Sequence, residues 1–314
     1  MDGVPSNYSA SQTEALLKPV SNKPSLLRQA LRSGKTLAVP GAFNAITAKI
    51  IEKCGFEAVY ISGAGLNNGV AGYPDIGFMT QTEMAQMAGY IARSVNIPAI
   101  ADGDNGYGEA INVFRTVQEY ERAGLSGIHL EDQVSPKRCG HLNGKQVISQ
   151  EAMVEKVRAA VSARQNPDFL VIARIDSKAV YGYDDLLTRA KACLEAGADM
   201  IFPEALETPE EFAAFARDLK GPMLANMTEF GKTPYLTLQE FEAFGYNIVI
   251  YPMTGFRIMM KAVEDAMLEL KQTGTQKQML DKMTSRQDLY QLIHYTEYES
   301  LDKTLVTQFS NHPV

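Results

Sequence analysis

Eight short apolar runs recur along the chain: TLAVPGA, AVYISGA, PAIADGD, GIHLEDQ, FLVIARID, MIFPEA, PMLANM and NIVIYPM. Their apolar stretches are nearly continuous rather than strictly alternating, which is the pattern of strands covered on both faces, as in a parallel sheet. Most are separated by roughly 15 to 25 residues of helical pattern. The segments EAINVFRTVQEYERAG and DDLLTRAKACLEAG place apolar residues at i, i+3 and i+4 and end on glycine, as a helix terminus does. Eight strand and helix alternations with no break for a second domain predict an α/β fold, a (β/α)8 TIM-type barrel, because eight strands can close and leave no free edge. The expected organisation is an N-terminal arm over residues 1–24, poorly ordered or helical, then a catalytic barrel over 25–275. Residues 254–272 supply the barrel's last helix, and 276–314 form a C-terminal helical extension that packs on the barrel or on a partner subunit.

Barrel enzymes build their sites at the C-terminal ends of the strands, so the polar residues that end these runs are the first candidates. They are Ser62 and Gly63, Asp102 and Asp104, Glu131 and Asp132, Arg174 and Asp176, Glu204, and then Asn226 and Thr228. Within DGDNGYG, residues 102–108, two carboxylates stand two positions apart, and alternate residues of a strand end share a face. Asp102 and Asp104 can therefore face one hard cation, with Glu131 on the neighbouring strand; Mg2+ suits such a site because it keeps waters and needs few carboxylates. A polar turn rich in Asp and Gly explains the same residues without a metal. SGAGLNNG has a spacing one residue too long for a dinucleotide fingerprint, and its glycines suit backbone approach to a substrate carboxylate instead.

Composition changes the picture in only a few places. At 45% hydrophobic and 21% charged residues the chain is an ordinary globular one. A net charge of -7 argues against a nucleic-acid partner and means that an anionic substrate needs local Arg and Lys. No apolar run approaches the length of a membrane span and the N-terminus has no signal-peptide pattern, so the expected setting is the cytoplasm, with no membrane partner. Three widely spaced cysteines suit free thiols; Cys54 and Cys193 fall in apolar helical faces and are expected in the core. Cys139 lies instead in PKRCGHLNGK, residues 136–145, a loop after the fourth strand with glycine hinges suited to a lid. On base rates Lys137, Arg138 and Lys145 are solvated loop charges and His141 is structural or exposed. Cys139 and His141 lack the partner pair that a zinc site needs.

DGDNGYG, LEDQVSPKRCGHLNGK, ARID, FPEA, LANMTEFGKTP and YPMTGFR together resemble the isocitrate lyase and phosphoenolpyruvate mutase superfamily. The resemblance runs from about residue 36 to 305, and the thiol loop is specific to the carbon–carbon lyase branch. It implies Mg2+ dependence, a last barrel helix exchanged between subunits, and a homotetramer built as a dimer of dimers. It also implies cleavage of a tri- or dicarboxylate, 2-methylisocitrate in the first instance, to pyruvate and succinate in propionate catabolism. The resemblance makes Asp102, Asp104 and Glu131 the metal shell, partly through waters. It makes Ser62 and Gly63, with Cys139 and Gly140, contacts to the substrate carboxylates, and places Ala64 and Asp75 among the substrate-binding residues. Arg174, Glu204, Asn226, Met227, Thr228, Arg257 and Arg286 bind the rest of the substrate, and Phe202, Ile250 and Pro252 wall the extra methyl group. Ile175, Asn105 and Ala64 depart from the residues common in the family.

The mechanism so implied has Cys139 protonating the carbanion left by bond cleavage, with His141, Arg174 and Asn226 donating to the growing charge and Lys137 beside the thiol. Lys137 and Arg138 favour a thiolate, while a bound polyanion under a closed lid restores the thiol. Tyr60, which a buried strand tyrosine explains equally well, is the candidate for helping to remove the hydroxyl proton. Rival expectations are a lyase of 2,3-dimethylmalate or isocitrate, a mutase of phosphonate metabolism, and a non-catalytic carboxylate-binding oligomer.

Overall fold

The computed structural model describes residues 17, 18, 20–138, 140 and 144–310. Among them, eight parallel strands form one sheet: β1 (Leu37–Ala42), β2 (Val59–Ile61), β3 (Ala99–Asp102), β4 (Gly127–Glu131), β5 (Leu170–Ile175), β6 (Met200–Pro203), β7 (Leu224–Asn226) and β8 (Ile248–Tyr251). The order is β6-β5-β4-β3-β2-β1-β8-β7, and a parallel bridge between Ile201 and Met223 brings the two end strands together, so the sheet curls into the expected (β/α)8 barrel. Each predicted apolar run contains one of these strands.

The helices between the strands begin and end on the signals their sequences carry. Thr80 and Glu83 form a capping box ahead of Gln81–Arg93, and Thr237 and Glu240 form another ahead of Leu238–Phe244. Gly124, at φ 94, ends Ala110–Ala123 in the left-handed conformation that glycine adopts without steric cost. The outward faces of the strands pack under these helices in two large apolar clusters, one built around residues such as Val113 and Ile128, the other around Phe212 and Phe241.

The inward faces hold a third cluster, including Leu37, Val39, Ile100, Ile172, Phe202 and Ile250. Leu27, from the helix Lys23–Arg32, joins the residues at the N-terminal ends of the strands and stops that mouth of the barrel. Side chains two apart on a strand share a face, so the inward series continues from apolar to polar toward the C-terminal ends. Ile100 leads to Asp102, His129 to Glu131, Ile172 to Arg174, and Phe202 to Glu204. A polar site on an apolar plug is the direct result.

Two compact units are distinguished by their internal contacts: Asn22–Met260, which holds the barrel, and a second made of the described residues before Asn22 together with those from 261 onward. The helix Thr254–Thr273 runs from one into the other, and the later residues form the helices Arg286–Leu292 and Tyr295–Ser310. No helix among the described residues is long and apolar enough to cross a membrane.

Candidate active site

A cavity of about 610 Å³ opens at the C-terminal ends of the barrel strands. From the β2 side Tyr60, Ser62, Ala64 and Asp75 line it, and β3 contributes Asp102. Lys137 and Gly140 enter from the loop after β4, facing Arg174, Phe202 and Glu204 of β5 and β6. Asn226, Thr228, Ile250, Pro252 and Arg257 complete the wall. The structure thus brings together most of the residues expected from the sequence.

Other expected residues stand elsewhere. Asp104 and Glu131 are buried behind the lining, and Gly63 lies under it, pressed so close to Asp102 that a Cβ would stand 2.5 Å from Oδ2. Met227, just past the end of β7, packs in the apolar cluster beneath the helices and is not among the residues that line the cavity. Arg286 opens the helix Arg286–Leu292 in the second unit. Cys139 and His141 lie outside the described residues.

The lysines of the loop also depart from expectation. Lys137 is only 4% exposed; its ammonium forms ion pairs with Asp75, at 2.7 Å, and with Asp104. Lys145 is buried as well, paired with Asp176 at 2.9 Å. A loop folded inward over carboxylates buries cations that would be solvated on a loop projecting into water; only Arg138 of the three keeps an exposed position. Cys54 reverses its expectation in the other direction. It caps the helix Ala45–Lys53 and is exposed, because the helix ends before another turn can carry it under cover, whereas Cys193 is buried as expected.

The acidic cluster has the electrostatics of a cation site. Burial alone would raise the Asp102 carboxyl, but Lys137, His129 and Arg174 outweigh it and hold it well below the usual carboxylate range. Asp104 is pushed up to about 6, first by burial and then by Asp102 and Asp75 against the opposing pull of Lys137. Burial also pushes Glu131 well above its ordinary value despite Arg174, whose Nε stands 3.4 Å from Oε2. Neither Glu131 oxygen has a hydrogen-bond partner. A fully buried carboxylate left in that condition is costly unless a cation or water completes it. Among the described residues no three acidic, His or Cys side chains stand close enough to ligate one ion directly. The oxygen-only donor set therefore fits Mg2+ held in part through its own waters.

His129 is a site residue that the sequence reading missed. It is fully buried, its Nε2 lies 2.7 Å from Tyr60 Oη and 3.7 Å from Asp102 Oδ1, and its ring stacks on Tyr60. Burial brings its pKa down to about 4, so the ring is neutral near pH 7. Burial likewise pushes the Tyr60 phenol well above its ordinary range, with Asp102 adding to the effect. Tyr60 is thus a protonated phenol here and not a ready base. The missed signal was parity: His129 stands two before Glu131, and the β3–β4 register sets it beside Asp102.

Beneath Arg174 a second polar layer holds the guanidinium. Asp176 accepts from Arg174 Nε and Lys145 Nζ, each at 2.9 Å; these cations outweigh burial and bring its carboxyl down to about 2. The Asp132 carboxylate accepts from the Asp176 N–H at 2.8 Å and from Arg189 at 3.2 Å. Arg174 also lies over the Phe202 ring, 5.1 Å from its centroid.

The phosphoenolpyruvate phosphomutase family model matches residues 27–271. The chain belongs to that family. Among its relatives, a 2-methylisocitrate lyase of Aeropyrum pernix is 49% identical over 285 residues, covering 91% of this chain and 92% of the relative. A crystal structure of 2,3-dimethylmalate lyase, described as a member of the PEP mutase/isocitrate lyase superfamily, superposes with a TM-score of 0.86 at 37% identity, over 91% of this chain and 96% of that one. Phosphonopyruvate hydrolase, crystallised with oxalate and Mg2+, superposes with a TM-score of 0.81 at 30% identity, over 90% of this chain and 98% of that one. The family match spans the strands and the cavity described above, so the polar strand ends belong to the part of the chain that the family shares.

Proposed function

We propose that this protein is a Mg2+-dependent carbon–carbon lyase that cleaves 2-methylisocitrate to pyruvate and succinate. The observation that carries the reading is one cavity at the strand ends of a family barrel that joins a buried acidic cluster to guanidinium, amide and hydroxyl groups suited to several carboxylates. The 49% identity to a 2-methylisocitrate lyase supports the substrate.

Asp102, Asp104 and Glu131 would hold Mg2+, which when bound supplies a Lewis acid toward the substrate's oxygens. Ser62 and the Gly140 backbone contact one end of the substrate. Arg174, Asn226, Thr228, Arg257 and Arg286 bind the remaining carboxylates, while Phe202, Ile250 and Pro252 enclose the methyl group. Breaking the carbon–carbon bond leaves its electron pair on the succinate carbon, beside a carboxylate. Arg174, Asn226 and His141 donate hydrogen bonds where that charge spreads, and Cys139 transfers its thiol proton to the carbon. Tyr60, held by His129, meets the substrate hydroxyl as a hydrogen-bonding phenol; the hydroxyl proton leaves to water as its oxygen becomes the pyruvate carbonyl, and the thiolate left on Cys139 is reprotonated from solvent. The same reading gives a cytoplasmic enzyme of propionate catabolism that assembles as a homotetramer, a dimer of dimers with exchanged last barrel helices.

The test offers 2-methylisocitrate, isocitrate and 2,3-dimethylmalate in turn to the purified protein with Mg2+ and follows release of the 2-oxo acid. The highest kcat/KM is expected for 2-methylisocitrate, with activity lost in EDTA and restored by Mg2+. A preference for dimethylmalate would overturn the substrate, and no 2-oxo acid from any of the three would overturn the lyase.

A further inference from the structure

The turn that carries Asp102 and Asp104 is held from behind, by helices that contribute nothing to the cavity wall. Asp104 stands at φ 46, in the left-handed region that a residue with a Cβ adopts only when its surroundings enforce it, and its N–H donates to Asp102 Oδ1 at 2.9 Å. Every backbone carbonyl from Asp102 to Gly106 has a donor. Two donors are main-chain: the Gly106 N–H reaches the Gly103 carbonyl and the Glu131 N–H reaches that of Asp104, each at 2.9 Å. The other three are side chains of the helices Ala110–Ala123 and Gln150–Ala163. Tyr120 Oη donates to the Asp102 carbonyl at 3.1 Å, Lys156 Nζ to Asn105 at 2.8 Å, and Thr116 Oγ1 to Gly106 at 3.2 Å.

Lys156 is the least ordinary of these donors. It is only 4% exposed, and among the described residues its ammonium hydrogen-bonds to the Asn105 carbonyl alone and forms no ion pair. Burying an ammonium without a carboxylate in contact costs desolvation energy that a lysine reaching water does not meet. Burial lowers its pKa from the ordinary value, with the Glu109 and Glu131 carboxylates opposing. Tyr120 is fully buried, and its hydroxyl also meets Tyr107 Oη at 3.0 Å. Thr116 shares its hydroxyl with the Asn112 carbonyl at 2.9 Å, which leaves it the weaker tie.

We infer that Lys156 and Tyr120 are positioning residues for the cation site, fixing the backbone on either side of Asp104 so that its carboxylate and that of Asp102 are already in place when the ion arrives. The inference rests on the reading of these carboxylates as a Mg2+ site. It adds that the strength of that site is set in part by an ammonium and a phenol that touch neither ion nor substrate.

The test titrates Mn2+, which takes the same oxygen donors as Mg2+, into metal-free and substrate-free protein and follows the electron paramagnetic resonance of the free ion. The parent is compared with Lys156→Met and Tyr120→Phe, and Asp104→Asn identifies the titrated site. Loss of a partner behind the ligands typically weakens metal binding by about 10- to 100-fold, and the Kd is expected to rise by that factor in both variants. The Mg2+ concentration for half-maximal turnover should rise in parallel. A role in global stability alone would lower the thermal midpoint and leave the Kd where it was. An ammonium acting only through its charge would repel the ion, so Lys156→Met would then bind more tightly and Tyr120→Phe would not change. A Kd within about threefold of the parent's in either folded variant, or tighter binding by Lys156→Met, overturns the inference.

Hydrogen exchange in metal-free protein reports the same hold without an ion: the Gly106 N–H should exchange about tenfold faster in both variants, and an unchanged rate overturns the inference. Tyr120→Phe removes a single oxygen and no charge, so it decides the matter alone should Lys156→Met fail to fold. A parent that takes up no Mn2+ at this site overturns the metal reading and this inference together. A parent that binds the ion, with variants that bind it equally well, overturns the inference and leaves the metal reading standing.

Discussion

His129 sits inside the barrel with Tyr60 stacked on one side and the Phe202 ring edge-on at 5.4 Å, so its imidazole is held neutral by the packing that hides it. The unfolded chain takes up a proton on this residue near pH 6.5, whereas the folded chain does so only near 4. Between those values the unfolded state binds more protons, and this residue's contribution to stability falls as the pH is lowered. His129→Asn, which keeps a polar group near Tyr60 but cannot titrate, should be less stable than the parent at pH 7.5. That gap should narrow as the pH falls from about 6.5 toward 4. Urea unfolding of metal-free protein at pH 7.5, 5.5 and 4.5 measures it, and a gap that stayed constant would mean that the buried ring titrates where the unfolded one does. Residues of this kind were the least legible ones. A single His, Lys or Cys carries no sign of which way its backbone turns: Lys137 and Lys145 are buried because their loop folds back over Asp75, Asp104 and Asp176, while Cys54 is exposed because its helix stops there.

The elements were legible for the opposite reason, since many residues must agree to form one. Strand boundaries follow from runs in which both faces are apolar, and the site follows from parity, because Asp102, Arg174 and Glu204 each stand two past an inward apolar residue. Glycine offers a test of how tightly these elements meet. At Gly41 on β1 a Cβ would collide with the backbone of Pro252, just past the end of β8, and neither chain can yield without disturbing the β1–β8 register. At Gly255, within the helix Thr254–Thr273, the nearest atom is Thr47 Cγ2 at 3.6 Å, an ordinary contact. Gly41→Ala is therefore expected to lower stability by more than about 3 kcal/mol or to abolish soluble expression, as overpacking against rigid backbone does. Gly255→Ala should be neutral or stabilising by up to about 1 kcal/mol, the helix-propensity difference. Denaturant midpoints of the two variants check the contrast; equal effects would show that the β1–β8 contact yields.

At the scale of the whole molecule, the long helix Thr254–Thr273 poses a question that one chain does not answer. Only Phe256 of its twenty residues is buried, while Ile258, Met260, Val263, Met267 and Leu268 are each about half or more exposed. Apolar side chains recurring along one helix in this way favour a protein partner over water, and a second copy of the chain is the partner expected from the proposed assembly. Burying each would contribute about 1.5 to 3 kcal/mol before the cost of association, so a few such residues repeated by symmetry suffice to hold subunits together. Sedimentation velocity is expected to show a species of four chains at micromolar concentration. Combining Met267→Glu with Leu268→Lys should shift it toward smaller species, because charges buried in an interface without partners are costly. The same double substitution lies outside the cavity lining, so any loss of turnover that tracks the loss of assembly, and recovers at high protein concentration, would mean that the site is completed only in the oligomer. A chain that sediments as a monomer with full turnover would instead leave this face to another partner and separate the chemistry of the barrel from its assembly.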